Sequence, residues 1–455
     1  MSMAARILCI VAFIAVLSQF GGTLAGLVGL PNPVPAVRDC VLFTLGLYAI
    51  YRTDVFKARG FFIAVLMTLL LLIVNIAIAA ASDLHFAGVY YARLYLLPVI
   101  FAVAARGLLL QASPQEVRAL ARIVFWCGLI IVLVGFGLFA AIEVRPDLLF
   151  SLMGALEGQT LATAWYIAGG TWLRMGLPAT SPNAFGLILA LYLMLVIPLL
   201  IDGRFLVVNK FMRVLVIGAT LLAMLMSFSR SSWLALALGG FVMFVLCRRE
   251  WGLASPAAIL KLSAALFIMM MLLVVAVLAV DSYSGGFIVR WIELNASGTD
   301  PSMQGHGKSF VDALEALPDY FWIGYPKGTV SARALLFGGA LHNAENSIIS
   351  VFFEMGVPLG LVFLTLVVFL LKGLWVHKIQ WGVVAGFGLC AMFLPYVFEP
   401  DMIALFLTVT TLLGRAMQLS QQGLADNLTP TPHGPKLRPG ASTHKAFQAT
   451  VFDAR

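Results

Sequence analysis

The sequence predicts an all-α polytopic membrane protein of about 12 transmembrane helices, and three observations predict it. Of 455 residues, 61% are hydrophobic and only 11% charged, against about 25% charged in an ordinary soluble domain. Mean hydropathy is +0.99, and at roughly 20 apolar residues per span a dozen spans fill about half of such a chain. The basic residues between the apolar runs alternate from one side to the other. A soluble enzyme, a disordered chain and a nucleic-acid module are excluded, because too few charges remain to coat a water-facing surface. The net charge of +8 is mostly an orientation signal.

Apolar runs bounded by Pro, Gly or charge fall at 7–28, 36–51, 60–81, 89–105, 120–142, 183–201, 211–228, 232–247, 259–280, 347–371, 381–398 and 402–419. The first run follows Arg6 and precedes Thr-Leu-Ala, a signal-peptide pattern, but with so many spans behind it a retained helix is expected. Arg52/Lys57/Arg59, Arg106/Arg118/Arg122, Arg204/Lys210/Arg213, Arg248/Arg249/Lys261 and Lys372/Lys378 share one side with Arg6 and the tail. The positive-inside rule makes that side cytoplasmic, with both termini inside. Residues 1–420 form the membrane domain. The stretch 421–455, with Thr-Pro-Thr-Pro-His-Gly-Pro-Lys, reads as a flexible cytoplasmic tail. The five cysteines stand in apolar stretches without ligand spacing, so neither a disulfide framework nor a metal site is indicated. No internal repeat is visible, which weakens a transporter reading.

Two extracytoplasmic connections are long, about 143–182 and 281–346, and long ordered loops carry function. Nine of the 29 basic residues defy the orientation rule: Arg38, Arg93, Arg145, Arg174, Arg230, Arg290, Lys308, Lys327 and Arg333. Singly, each can be an interfacial or solvated charge; together they suggest an anion site. Arg174 precedes Ser181-Pro182-Asn183, where Ser181 or Asn183 can cap a helix with Pro182 in its first turn. An arginine beside an outward helix N-terminus makes a diphosphate cradle. Arg230 sits among Ser227, Ser229, Ser231 and Ser232 in a tight hairpin, at a depth where a guanidinium needs an anionic partner. The second loop holds Gly305-His306-Gly307-Lys308 and then His342-Asn343-Ala344-Glu345-Asn346-Ser347. If the tenth helix reaches back to His342, His342 and Glu345 share a face. Gly356 and Gly360 suggest close helix packing on that same helix. Glu354 is expected to be a structural carboxylate facing protein or water.

In these motifs the chain resembles the O-antigen polymerase and O-antigen ligase superfamily, membrane glycosyltransferases acting on lipid-diphosphate-linked glycans. The likeness runs from about 170 to 365. It rests on Arg174-Met-Gly with Ser181-Pro182-Asn183, Ser229-Arg230-Ser231-Ser232-Trp233, Gln304-Gly305-His306, Gly324-Tyr325-Pro326-Lys327-Gly328 and Glu345-Asn346-Ser347 with Glu354-Met355-Gly356 and Gly360. Ligases in the superfamily carry a His-Asn pair eleven residues before the first Gly of the last motif. This chain has Glu345-Asn346 in that register, with His342-Asn343 three residues early, so the resemblance favours a polymerase. It implies a bacterial inner-membrane enzyme with a periplasmic site, no cofactor and no metal, and no nucleic-acid partner. Donor and acceptor are polyprenyl-diphosphate-linked glycans, with membrane lipid and a chain-length regulator as further partners.

The expected roles follow from the chemistry. Arg174 and Arg230, then Arg290 and Arg333, neutralise the diphosphate; His306, Lys308 and Asn183 line the substrate site. Glu345 takes the acceptor proton, with His342 as orienter or substitute base. The competing readings are a ligase moving finished polymer to a lipid core and a transporter or flippase of the same span count.

Overall fold

The computed structural model describes residues 2–14, 34–81, 85–145, 147, 166–167, 172–179, 181–251, 301–324, 346–394 and 400–423. Their regular structure is helical apart from one hairpin of two-residue strands. In chain order the helices are α1 (Ser2–Ile14), α2 (Val34–Arg52), α3 (Arg59–Ala80), α4 (His85–Ala104), α5 (Pro114–Val144), α6 (Pro182–Asp202), α7 (Lys210–Met226), α8 (Arg230–Cys247), α9 (Pro301–Ala316), α10 (Ser347–Met355), α11 (Val357–Gly373), α12 (Gln380–Ala391) and α13 (Pro400–Gln421). Strands β1 (Tyr166–Ile167) and β2 (Trp172–Leu173) pair antiparallel. Among the described residues, five helices are long and apolar enough to cross a membrane: α3, α5, α6, α8 and α13. The run 259–280 lies outside the described residues.

Burial sorts these helices into an inner and an outer set. α6 and α13 are 89% buried over their apolar windows, whereas α3 and α5 reach 39% and α8 28%. A helix apolar on all sides belongs inside a bundle or against lipid. α6 takes the first place, and the exposed Phe62, Ile63, Leu66, Leu70 and Ile73 put a face of α3 in the second. Between membrane helices close packing replaces the hydrophobic effect, so small residues mark the seams. A β-carbon on Gly239 of α8 would lie 2.8 Å from the Gly382 carbonyl of α12, and one on Gly386 would lie 2.6 Å from the Ala235 carbonyl. α8 and α12 therefore touch backbone to backbone.

The basic connections meet at one end of the bundle. Arg106 donates to the carbonyls of Val55 (3.0 Å) and Gly373, Arg415 to Ala112 (3.0 Å) and Arg204 to Ser420 (3.0 Å). There too Glu250 accepts Lys378 at 2.6 Å and lies 3.3 Å from His377 Nε2. Cys247, Glu250 and His377 are close enough together to suggest a cation site. His377 Nδ1 accepts the Ile379 N–H, which leaves the ring neutral with its proton on Nε2, so the latch here is the Lys378–Glu250 ion pair with the neutral imidazole beside it.

Three sequence expectations need correction. The span 347–371 is not one helix: α10 ends at Met355, Gly356 adopts φ 75°, and α11 begins beyond it with Pro358 in its first turn. The backbone can reverse there because glycine has no Cβ to clash. Gly356 and Gly360 are consequently not a helix-packing stripe. Gly356 abuts the Trp322 carbonyl, and Gly360 abuts Phe352 of the preceding helix. Finally, Gln304 to Lys308 is helical, within α9.

Candidate functional site

At the end of the bundle opposite the basic connections, three helix N-termini gather. α6 and α8 run parallel: Gly186 faces Ser229 and Ser232, and two turns on Met194 reaches Gly239. The approach at the start is close, since a β-carbon on Gly186 would lie 2.7 Å from Ser232 Oγ, 2.8 Å from Ser229 Cβ and 3.0 Å from Ser227 Oγ. α12 runs antiparallel to α8 and brings its C-terminus beside them, Cys390 Sγ lying 3.5 Å from the Ser231 carbonyl. That C-terminus holds the start of α10, because Asn346 Nδ2 donates to the Met392 carbonyl at 2.9 Å and Ser347 Oγ to Leu394. Each N-terminus carries the positive end of its helix dipole, so the three together favour an anion.

Local sequence chemistry sets each start. Ser181, in extended backbone, accepts the Ala184 N–H at 3.1 Å, with Pro182 in the first turn; the cap is Ser181 and not Asn183. Asn346 Oδ1 accepts from Ile348 and Ile349 at 2.9 and 3.0 Å and caps α10. Ser229 occupies the N-cap position of α8 but makes no capping bond. Its hydroxyl pairs instead with Ser232 Oγ at 2.7 Å. Just before it, Phe228 has φ 50°, a left-handed conformation that costs a bulky residue energy and is retained only where neighbours impose it.

Arg174 is delivered by β2 into this turn. Its Nε donates to the Ser227 carbonyl at 3.0 Å, and its Nη2 to Asn183 Oδ1 at 2.7 Å and to the Phe228 carbonyl at 3.4 Å. The adjacent Met175 N–H donates to the Met226 carbonyl at 2.9 Å. Arg174, Asn183 and Arg230 are thus brought together at the α6 and α8 N-termini. Arg230 is the first residue of α8 and half-buried.

Glu345, His342, Arg290 and Arg333 lie outside the described residues. α10 begins at Ser347. His306 falls in the backbone of α9, its side chain outside the described set; Lys308 is exposed on the same helix. α9 and the turn after it dock on α10, with Ala313 against Ile349 and Phe353, and the Val357 N–H donating to the Phe321 carbonyl at 2.8 Å. Glu354 is buried and accepts from Tyr95. Sequence reading missed the α12 C-terminus as the bracket between α8 and α10; Cys390, Met392 and Leu394 carry no polar motif to announce it.

No curated protein and no solved structure matches the chain. Residues 214–364, which include the serine turn, Arg230 and the Asn346 cap, match the family described as O-antigen ligase, so that stretch of the chain is similar to the O-antigen ligase and polymerase superfamily.

Proposed function

We propose that the chain is a membrane glycosyltransferase that polymerises glycan repeat units carried on polyprenyl diphosphate, at the periplasmic face of a bacterial inner membrane. The observation that carries this reading is Arg230 at the first position of α8, directly after the turn that Arg174 ties to the capped start of α6. In the full reading of about 12 spans with both termini inside, the basic end of the bundle is cytoplasmic and the arginine end periplasmic. The O-antigen ligase family match supports a polymerase- or ligase-type activity.

The chemistry needs two things. Diphosphate is a competent leaving group once its charge is neutralised. Arg230, with Arg290 and Arg333 from the second long connection, supplies that charge in a site where helix dipoles already point at the anion. The acceptor hydroxyl needs a proton sink. Glu345 takes the proton as the hydroxyl oxygen bonds to the anomeric carbon, with His342 as orienter or substitute base. The bond to the diphosphate oxygen breaks on the opposite face, its electron pair leaves with polyprenyl diphosphate, and the anomeric centre inverts. His306, Lys308 and Asn183 line the sugar and phosphate path. Membrane lipid surrounds the lipid carriers, and a chain-length regulator is the candidate protein partner.

The test is genetic. In cells carrying Arg230→Lys or Glu345→Gln, with insertion of the protein verified, long-chain surface glycan is expected to collapse to short products; wild-type chain length from both variants contradicts the assignment. The family description favours a second reading, a ligase moving finished polymer to a lipid core. A lipid-linked single repeat unit separates the two, because a polymerase builds a ladder from it and a ligase does not.

A further inference from the structure

We propose that Arg174 is a positioning residue, which acts by holding the turn that presents Arg230 and not by gripping the diphosphate itself. The proposal rests on the glycosyltransferase reading above. A guanidinium binds phosphate through two parallel N–H donors on one edge. The Nε–Nη2 edge of Arg174 is already spent, on the Ser227 and Phe228 carbonyls at 3.0 and 3.4 Å and on Asn183 Oδ1 at 2.7 Å.

Those acceptors belong to two separate elements. Ser227 is the C-cap of α7, where carbonyls lose their helical partners. Asn183 stands in the first turn of α6. One planar side chain therefore ties the end of α7 to the start of α6 across the turn. Within the turn Phe228 sits at φ 50° and Ser229 makes no capping bond, while Ser227 Oγ donates to the Met224 carbonyl at 2.7 Å and Ser229 Oγ pairs with Ser232 Oγ, bonds that stay within α7 or α8, whereas Arg174 ties the turn to α6. Arg230 follows Ser229 directly, so its place at the mouth of the site is set by whatever holds Ser227 and Phe228. A lysine at 174 keeps the charge but has no rigid fork to satisfy three acceptors at once.

The experiment uses the full-length protein in detergent micelles, as wild type, Arg174→Lys, Arg230→Lys and the double variant. Amide hydrogen exchange is followed over residues 226–233, and the Michaelis constant and turnover number are measured with a polyprenyl-diphosphate-linked repeat unit. Loss of a charge-assisted hydrogen bond is about a tenfold effect. Arg174→Lys is expected to speed exchange over 226–233 by about that factor, leave exchange in α11 unchanged and raise the donor Michaelis constant. In the double variant that constant is expected to match Arg230→Lys alone within about threefold, because coupled residues do not add. Unchanged exchange over 226–233, or single-variant effects that multiply in the double variant, overturns the proposal. Wild-type protein that never turns over the lipid-linked unit sinks the glycosyltransferase reading instead, and the exchange result still decides whether Arg174 holds the turn.

Discussion

Arg174 Nη2 donates to Asn183 Oδ1 at 2.7 Å, so the residue that enters the site from β2 is bonded to the first turn of α6, a helix buried along nearly its whole length. The same guanidinium reaches the carbonyls that end α7. The entry to α6, the exit of α7 and the entry to α8 consequently form one mechanical unit, and the predictions below probe its parts.

Gly186 is the closest seam in that unit. Any side chain there places a β-carbon 2.7 Å from Ser232 Oγ and 2.8 Å from Ser229 Cβ. Overpacking of this kind costs about 1–3 kcal/mol. Gly186→Val is expected to push the serine turn away from α6, lowering glycan synthesis in inserted protein as well as thermal stability; the mild Gly186→Ala should fall between it and wild type in both assays.

Ser181 caps α6 by accepting the Ala184 N–H. Ser181→Ala is expected to destabilise the purified protein by about 1 kcal/mol, read as a lowered unfolding temperature, and Ser181→Asp to restore most of it. An alanine variant as stable as wild type would show that Pro182 and the burial of α6 hold this helix start without the cap.

At the seam of α8 and α12, Gly239 and Gly382 approach backbone to backbone. Gly239→Leu is expected to cost more than Gly186→Ala, because carbonyls cannot swing aside as a side chain can. Since α12 also holds Asn346 at the start of α10, the variant should lose glycan synthesis despite its distance from Arg230. Immunoblot of membranes and glycan profiling check insertion and output separately.

The latch at the opposite end gives a pH dependence. Burial holds the His377 imidazolium below the ordinary histidine range, with Glu250 acting against it. The unfolded chain then binds more protons than the folded one as pH falls, so stability is full above about pH 6.5 and declines below it. Unfolding temperatures measured between pH 7.5 and 5.5 should fall, and His377→Gln should flatten part of that fall. A wild-type slope identical to that of His377→Gln would remove His377 from the account.

Much of this was legible in the chain. Apolar run length pointed to helices that the described residues form, and basic residues between runs told which connections share an end, as Arg106 and Arg204 now do. Ser181-Pro182-Asn183 announced a helix start because capping chemistry is local. The break at Gly356 was not legible, since an apolar run across a glycine reads like a packing stripe; only the left-handed φ and the Phe321 carbonyl bonded to Val357 reveal the break. Arg174 was legible as a cation but not as a bridge between α6 and α7, for a related reason. Charge is visible in sequence, but the carbonyls that occupy it arrive from a turn 53 residues away.

The central claim is that Arg230, at the head of α8, neutralises the diphosphate leaving group. The most direct measurement gives purified protein in lipid nanodiscs a single repeat unit on polyprenyl diphosphate and follows product length. Wild type should build a ladder, and Arg230→Lys should slow it by about a hundredfold or more, the scale of losing one positioned charge donor in a transition state. A ladder from Arg230→Lys at the wild-type rate would contradict the account.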